Sequence, residues 1–528
     1  MNYRRHYSTL ETPQSEPLAG QVENSAGGHA YPVDDWVRLD RFLILGSEGG
    51  SYYATERKLT RDNAKAVERC IAADAARVVR RVVEISDSGR AAQNDPPLFV
   101  LALCTTSAAK ADAFAALPKV ARIGTHLYHF AEYVEGFRGW GRGLRTAVAR
   151  WYDEKSVENL SYQVIKYRQR DGWTHRDMLR LSHPKSERNN AVYHWITKGE
   201  SAGLPLIDAY VKASAAETEK EVVSLIEGYG LPWEAIDTKW LGSADVWGAL
   251  LPHLPAMALV RNLGRMTANG LLGPFADANK RVLSVLAGEL PRVHPFAILL
   301  ALKTYAQGRG MKGSLSWQPV SAIVDALDGA FYAAFDNVTP TNKRIVLAID
   351  VSGSMDNEMM GSPLTCREAA AAMALITART EPQHEIMAFA ERFVRLEISP
   401  RERLDDVVNK TAALRMGGTD CALPMMWALG YDEKTDSYRD SGYEKKRQSI
   451  YKADAFVVYT DSETWCGAIH PAQALAKYRK ESGIDAKLAV VAIVPNEFSI
   501  ADPNDGGMMD VCGFDAAAAG IIADFVGG

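Results

Sequence analysis

Long hydrophobic runs are missing from this 528-residue chain. A helix that crosses a bilayer needs about 20 consecutive apolar residues, and no stretch approaches that. Met1 to His6 lead into a polar segment of Glu, Pro, Gln and Ser instead of an apolar signal core, so we expect a cytoplasmic protein with no membrane association. Cysteine is also scarce. Cys70, Cys104, Cys366, Cys421, Cys466 and Cys512 show no paired zinc-ligand spacing, which argues against a cysteine zinc site and for buried thiols in a reducing compartment. A dominant charge of one sign is lacking too, since the net charge is −5. That small value conceals a split: residues 1–340 carry 40 Lys and Arg against 37 Asp and Glu, and the remainder carries 20 against 28. Only the first part suits a polyanion, and only locally.

What is present divides into two patterns. Residues 1–27 hold Pro13, Pro17, Gly20 and Gly27 with few large apolar residues, which reads as a flexible leader. From 28 to 340, segments with apolar residues at helical spacing follow one another with short breaks, and alternating strand patterns are almost absent. One of them, Arg61 to Val83, places Val67, Ile71, Ala75, Val78, Val79 and Val82 on one face. Roughly a dozen helices at this density is what paired-helix repeats of the HEAT or armadillo class produce. A single deep bundle is the rival, and length counts against it, because one core rarely extends past about 250–300 residues.

From 341 to 528 strands alternate with helices, the pattern of a doubly wound α/β sheet. Its first strand, Ile345 to Ile349, is apolar throughout and ends at Asp350-Val-Ser352-Gly-Ser354. Open α/β sheets bind ligands at the carboxyl ends of their strands. A carboxylate and two hydroxyls there suit a hard divalent cation. Thr419 precedes an apolar helix, and Asp461 follows the buried run Ala455 to Thr460, so both stand where they can complete the set. The expected metal ligands are therefore Asp350, Ser352, Ser354, Thr419 and Asp461, with Mg2+ as the cofactor. With two acids around a dication, such a site stays short of negative charge and suits recognition more than catalysis. A metal-dependent docking module and a metal-dependent nuclease using Asp350 and Asp461 are the alternatives. The polar segment Tyr431 to Lys452 reads as a surface excursion.

The densest positive stretch is Leu160 to Asn190. Lys166 and Arg170 are four apart and are expected on one face of a helix that Asp171-Gly172 ends. Thr174 with Asp177 forms a capping-box pattern for the next helix, on which Arg176, Arg180 and His183 make one stripe, with Lys185 just beyond. Arg138, Arg142 and Arg145 surround a Gly-Trp-Gly loop upstream, and Arg261, Arg265, His294, Lys303, Arg309 and Lys312 form a scattered third group. Such cations neutralise phosphates, and Tyr167 or Trp173 stands near for a base, although both aromatics also fit a core.

Four blocks, Arg41 to Tyr53, Lys166 to His183, Val260 to Asn269 and Val293 to Phe296, together resemble the TROVE module of the Ro 60 kDa autoantigen family. The Asp350-to-Ser354 domain resembles its von Willebrand factor A half, and Asp-x-Ser-x-Ser with the later Thr and Asp resembles a metal-ion-dependent adhesion site. The resemblance implies a ring of HEAT-like helical repeats closed by the α/β domain. It also implies a monomer without catalytic activity that binds Y RNA on an outer surface at Lys166, Arg170 and His183. The central hole would take single-stranded 3′ ends of misfolded RNA. Bacterial relatives imply a further partner, polynucleotide phosphorylase, tethered through the Y RNA.

Overall fold

The computed structural model describes residues 14, 16–23, 28–32, 35–45, 59, 61, 64–88, 91, 94–200, 203–288, 290, 293, 295–311, 314–359, 362–414, 418–433, 443–460, 464–492, 498–502, 505–512, 522–523 and 525–527. The chain forms two compact units, and neither is continuous in sequence. One comprises 67–291 and 301–332; the other comprises 1–66, 292–300 and 333–528. These units divide the chain differently from the expected domains 1–27, 28–340 and 341–528. Short strands β1 (Val22–Glu23) and β2 (His29–Pro32) and helix α1 (Asp35–Leu45) belong with the α/β unit.

The helical unit runs from α2 (Lys65–Asp87, kinked at Asp74) through α3 (Asp95–Cys104), α4 (Lys110–Val120), α5 (Gly124–Arg138), α6 (Arg142–Asp153) and α7 (Val157–Lys166). A small hairpin, β3 (Gln169–Arg170) and β4 (Trp173–Thr174), precedes α8 (His175–Ser182), α9 (Asn190–Lys198), α10 (Pro205–Ala215), α11 (Glu219–Tyr229), α12 (Ala244–Leu250), α13 (Ala256–Ala268) and α14 (Ala278–Ala287). The second half of α15 (Pro295–Ala306) and nearly all of α16 (Ser321–Ala333) follow. Local rules account for the boundaries. Thr174 caps α8 by accepting the Asp177 N–H while the Asp177 carboxylate accepts from Thr174, and Thr218 with Glu221 does the same for α11. Gly230 stops α11 in the left-handed conformation at φ 65°.

In the first part of the unit packing skips a neighbour, with α3 against α5, α4 against α6 and α6 against α8, whereas α10, α11 and α12 pack in sequence. Helices such as α6 bury one stripe, here Leu144, Ala147, Val148, Trp151 and Tyr152, whereas α3 is buried on all sides from Pro96 to Cys104. Neighbours that stack this way share a continuous core spread along the chain, which is the paired-helix arrangement and not one deep bundle. No helix among the described residues is long and apolar enough to cross a membrane.

In the other unit, β5 (Ile345–Asp350) leads through α17 (Cys366–Thr380) to β6 (His384–Phe389) and β7 (Phe393–Arg395). Then come α18 (Leu404–Ala413), α19 (Leu423–Ala428), the hairpin β8 (Tyr431–Glu433) and β9 (Tyr443–Lys445), β10 (Ala455–Thr460), α20 (Pro471–Ser482), β11 (Lys487–Ala492), β12 (Phe498–Ser499) and β13 (Met508–Cys512). The main sheet has the order β13-β11-β10-β5-β6-β7, parallel except for β7. Every residue of β5 and β10 is buried, which explains their unbroken apolar sequences.

Two expectations need correction here. The leader is not uniformly flexible: Gln14 is fully buried, and β1 pairs with β2, which pairs in turn with β12. The segment 431–452 is not simply a surface excursion, because β8 and β9 form a hairpin and Arg447 stacks over Trp427. Residues 434–442 of it lie outside the described residues.

Two histidines of the helical unit sit uncharged. Burial lowers the His175 pKa to about 3, and burial with the nearby Arg122 charge lowers that of His126 to about 4. An unfolded histidine takes its proton near about 6.5, so the unfolded state binds more protons from there down to the folded values. Stability is therefore lost as pH falls, by about 1.4 kcal/mol per pH unit for each histidine. We expect thermal denaturation of His175→Gln to show a smaller fall in melting temperature than wild type between about pH 7 and about pH 5; identical falls would contradict the assignment.

Candidate functional sites

The chain leaves β5 toward β6 on one side and later places β10 on the other, so the strand order reverses between β5 and β10. Loops diverge at such a switch point and open a crevice at the carboxyl ends of the strands. Asp350 ends β5 there, wholly buried, and Thr460 ends β10 beside it. Asp350 Oδ1 accepts the Ser352 N–H at 2.8 Å and Oδ2 accepts the Thr460 hydroxyl at 2.8 Å. Ser352 Oγ and Ser354 Oγ lie 3.0 Å apart. Two adjacent ligands of an octahedral Mg2+, each about 2.1 Å from the ion, stand at about that separation. Thr419 is buried at the head of the loop before α19.

The donors are all oxygens, and among the described residues no group of three His, Cys, Asp or Glu side chains gathers to hold a metal. This set fits a hard dication through hydroxyls and one carboxylate, leaving it deficient in negative charge. Asp461 lies outside the described residues. Sequence reasoning passed over Thr460 and Asp420. The adjacency of Asp420 to Thr419 was the available signal. Five cysteines, Cys70, Cys104, Cys366, Cys421 and Cys466, are free and buried, in line with the inert thiols expected.

The helical unit rearranges the expected cation stripes. Helix α7 stops at Lys166, and Arg170 lies on the hairpin, so the two do not share a helix face. Asp171 and Gly172, at φ 51° and 81°, form the hairpin turn itself. His129 Nδ1 contacts Asp171 Oδ2 at 2.5 Å and fastens that turn to α5. The Lys166 side chain is 17% exposed, 3.2 Å from Glu234 and 3.1 Å from the Tyr162 hydroxyl, and its pKa is raised beyond the usual lysine range by that hydroxyl and the Glu234 charge despite partial burial. Arg170 is exposed, with Asp171 at 3.7 Å. Arg138 is occupied as well, donating to the Thr105 carbonyl at the end of α3.

Arg142 and Arg145 on α6 and Arg180 and His183 at the end of α8 are exposed, and none of their side chains has an ion pair or hydrogen bond among the described residues. Arg176 is exposed and donates to the Ile196 carbonyl at 3.2 Å. The Lys185 backbone N–H donates to Asp153, at the end of α6, leaving its exposed side chain unengaged among the described residues. Trp140, just before α6, stacks on Trp173, just before α8, with ring centres 5.4 Å apart. Starts meet starts and ends meet ends, so α6 and α8 run parallel. Both helices thus carry exposed cations without partners among the described residues. Trp173, Arg180, Asp171, Asp177 and Glu132 line a cleft of about 460 Å³. Trp173 is thus half-buried in a stack instead of being a core residue, while Tyr167 lies under Lys166.

Comparison with known proteins covers both units. Residues 22–343 match the TROVE domain, and residues 344–439 with 445–526 match the Ro60 vWA domain, the break falling inside the polar segment singled out above. The chain is 41% identical over 546 residues to the RNA-binding protein RO60 of Deinococcus radiodurans, covering 100% of this chain and 99% of the relative. It is 35% identical over 599 residues to the RNA-binding protein RO60 of Caenorhabditis elegans, covering 96% and 90%. The crystal structure of the Deinococcus radiodurans RO (RSR) protein aligns with a TM-score of 0.76 and 40% identity, over 94% of this chain and 99% of that one. With nearly its whole length matched, this chain belongs to the Ro60 family, a TROVE domain followed by a von Willebrand factor A domain.

Proposed function

We propose that the chain is a non-catalytic RNA-binding protein that grips phosphates with the parallel helices α6 and α8. The observation that carries this reading is that Arg142, Arg145, Arg180, His183 and Lys185, on or just past these two packed helices, are exposed and without acidic partners among the described residues, and we read them together as one bank. Arg176 extends it. An unpaired cation at a surface gives up only water and counterions when a phosphate arrives, and release of the counterions condensed on RNA favours binding. Lys166 would first have to leave Glu234. Its role is to brace α7, while Arg170 flanks the bank. The relatives named RNA-binding proteins are similar over nearly the whole chain, which supports the same ligand class here.

Family membership supports a finer reading: a Y RNA on this face, single-stranded 3′ ends of misfolded RNA in a central hole, and a cytoplasmic monomer acting in RNA quality control. Polynucleotide phosphorylase, tethered through the Y RNA, is the partner this reading adds. The α/β unit would hold Mg2+ with Asp350, Ser352, Ser354 and Thr419, joined by Asp461, and would offer an open coordination position to a carboxylate of a docking partner. One dication among hydroxyls has neither a second metal nor a positioned base, which favours docking over phosphodiester cleavage.

Filter binding of a structured RNA with a free 3′ end tests the RNA reading. Four to five phosphate contacts imply a slope of log affinity against log salt of about −3 to −4. Arg142→Ala with Arg145→Ala, Arg180→Ala and His183→Ser is expected to flatten that slope and cut affinity at least roughly tenfold, each lost phosphate contact removing about one unit. Lys166→Ala is expected to lower the melting temperature while changing affinity little. Wild-type affinity in the quadruple variant would contradict the assignment. For the metal, Mg2+ is expected to raise the melting temperature of wild type and not of Asp350→Ala, since a ligand that binds only the folded state stabilises it. Equal shifts in both proteins would contradict the site.

A further inference from the structure

Asp420 directly follows Thr419, yet its carboxylate faces away from solvent at 4% exposure. Oδ1 accepts the Ala422 N–H at 3.0 Å and the Gln14 Nε2 amide at 3.0 Å, and Oδ2 accepts the Tyr443 hydroxyl at 2.7 Å. A side chain at Gly467 would place its Cβ 2.4 Å from the Asp420 carboxyl carbon, so a wall of backbone closes that side. All three donors come from different parts of the unit: the loop before α19, the N-terminal segment and the hairpin β8–β9.

Gln14 does more than touch Asp420. Its Oε1 accepts the Thr464 hydroxyl at 2.7 Å, and its Nε2 also donates to the Ile469 carbonyl at 2.9 Å. Thr464 oxygen in turn accepts the Cys421 N–H, while the N–H groups of Trp465 and Cys466 donate to the Thr419 carbonyl. The loop bearing Thr419 and the loop after β10 are therefore sewn together under Gln14. Gly28 completes the fit, since a Cβ there would lie 2.1 Å from the Thr464 carbonyl oxygen. His470 Nε2 lies 2.9 Å from the Glu16 carbonyl, and Gln21 Nε2 lies 3.3 Å from His470 Nδ1. Burial and the Asp420 charge raise the Tyr443 pKa well above the tyrosine norm, so the hydroxyl stays a donor.

We infer that Gln14 and Tyr443, acting through Asp420, are positioning residues for the divalent-cation site, so that docking of the N-terminal segment and metal binding strengthen one another. This deepens the proposed metal reading of Asp350 and rests on it. Groups that hydrogen-bond behind a metal's ligands fix ligand orientation, and their loss costs metal affinity about 10- to 100-fold. Coupling of this kind is reciprocal: if the docked segment raises cation affinity, the cation must stabilise the docked segment by the same factor. A Thr419 loop held by Asp420 needs no reorganisation when an ion arrives. Released from both Gln14 and Tyr443, Asp420 would keep only its local Ala422 bond of the three.

Calorimetric titration of Mn2+ into the full chain tests this, with hydrogen exchange at residues 18–23 and 28–32 as the reciprocal reading. Tyr443→Phe keeps the ring and removes one hydroxyl, and Gln14→Ala removes both amide contacts. Each is expected to weaken Mn2+ binding by about 10- to 100-fold, and saturating Mg2+ is expected to slow exchange in the N-terminal segment of wild type but not of Asp350→Ala. If wild type binds Mn2+ and both variants bind it equally well, the positioning role is overturned while the Asp350 site stands. If wild type binds no Mn2+, both fall. Should Gln14→Ala unfold, Tyr443→Phe alone decides.

Discussion

Burial of the face between α6 and α8 is the constraint from which the rest of the helical unit's surface follows. Trp151 and Tyr152 are fully buried, and Leu144, Val148 and Met178 of the same two helices are buried as well. Large apolar side chains of this kind each stabilise a fold by about 1.5–3 kcal/mol when removed from water, far more than any surface ion pair returns. Orientation of both helices is thereby settled by their apolar stripes. Charged residues at the remaining positions have no choice but solvent. Asp153 then locks the ends, taking the N–H groups of Lys185 and Ser186.

Which cations stay available is a second question, decided by their neighbours. Lys166 and Arg142 are both positive, but the first is held against Glu234, Tyr162 and Tyr167 and the second lies open. Taking Lys166 from a partly buried ion pair leaves Glu234 unpaired, a cost that an exposed arginine never meets. The bank on α6 and α8 is thus better prepared for phosphate than the stripe that spacing alone suggested. The α/β unit separates its own chemistry from this, gathering oxygens at a sheet end and backing them with Asp420.

Much of the architecture was legible because it depends on short-range pattern. Ala455 to Thr460 matches its strand residue for residue, and the Thr174 and Asp177 capping box is present. Three helices went unread, α10, α12 and α16. Helix α12 is only seven residues long, too short for periodicity to register. Asp171-Gly172 was read as a helix stop, although the same dipeptide is a hairpin signal. What decided between them was the long-range contact of Asp171 with His129. Nothing local marks Gln14, whose partner Asp420 lies 406 residues away. Discontinuous units and cross-chain hydrogen bonds are properties of packing, and a linear pattern does not carry them.

Ultraviolet crosslinking of a bound structured RNA to the full chain, followed by mass spectrometry of the adducts, addresses the account at its centre. We expect crosslinked peptides from 138–153 and 173–188, containing Arg142, Arg145, Trp173 and Arg180, and fewer adducts as salt rises. Adducts confined to the α/β unit, or to helical segments other than these, would contradict it.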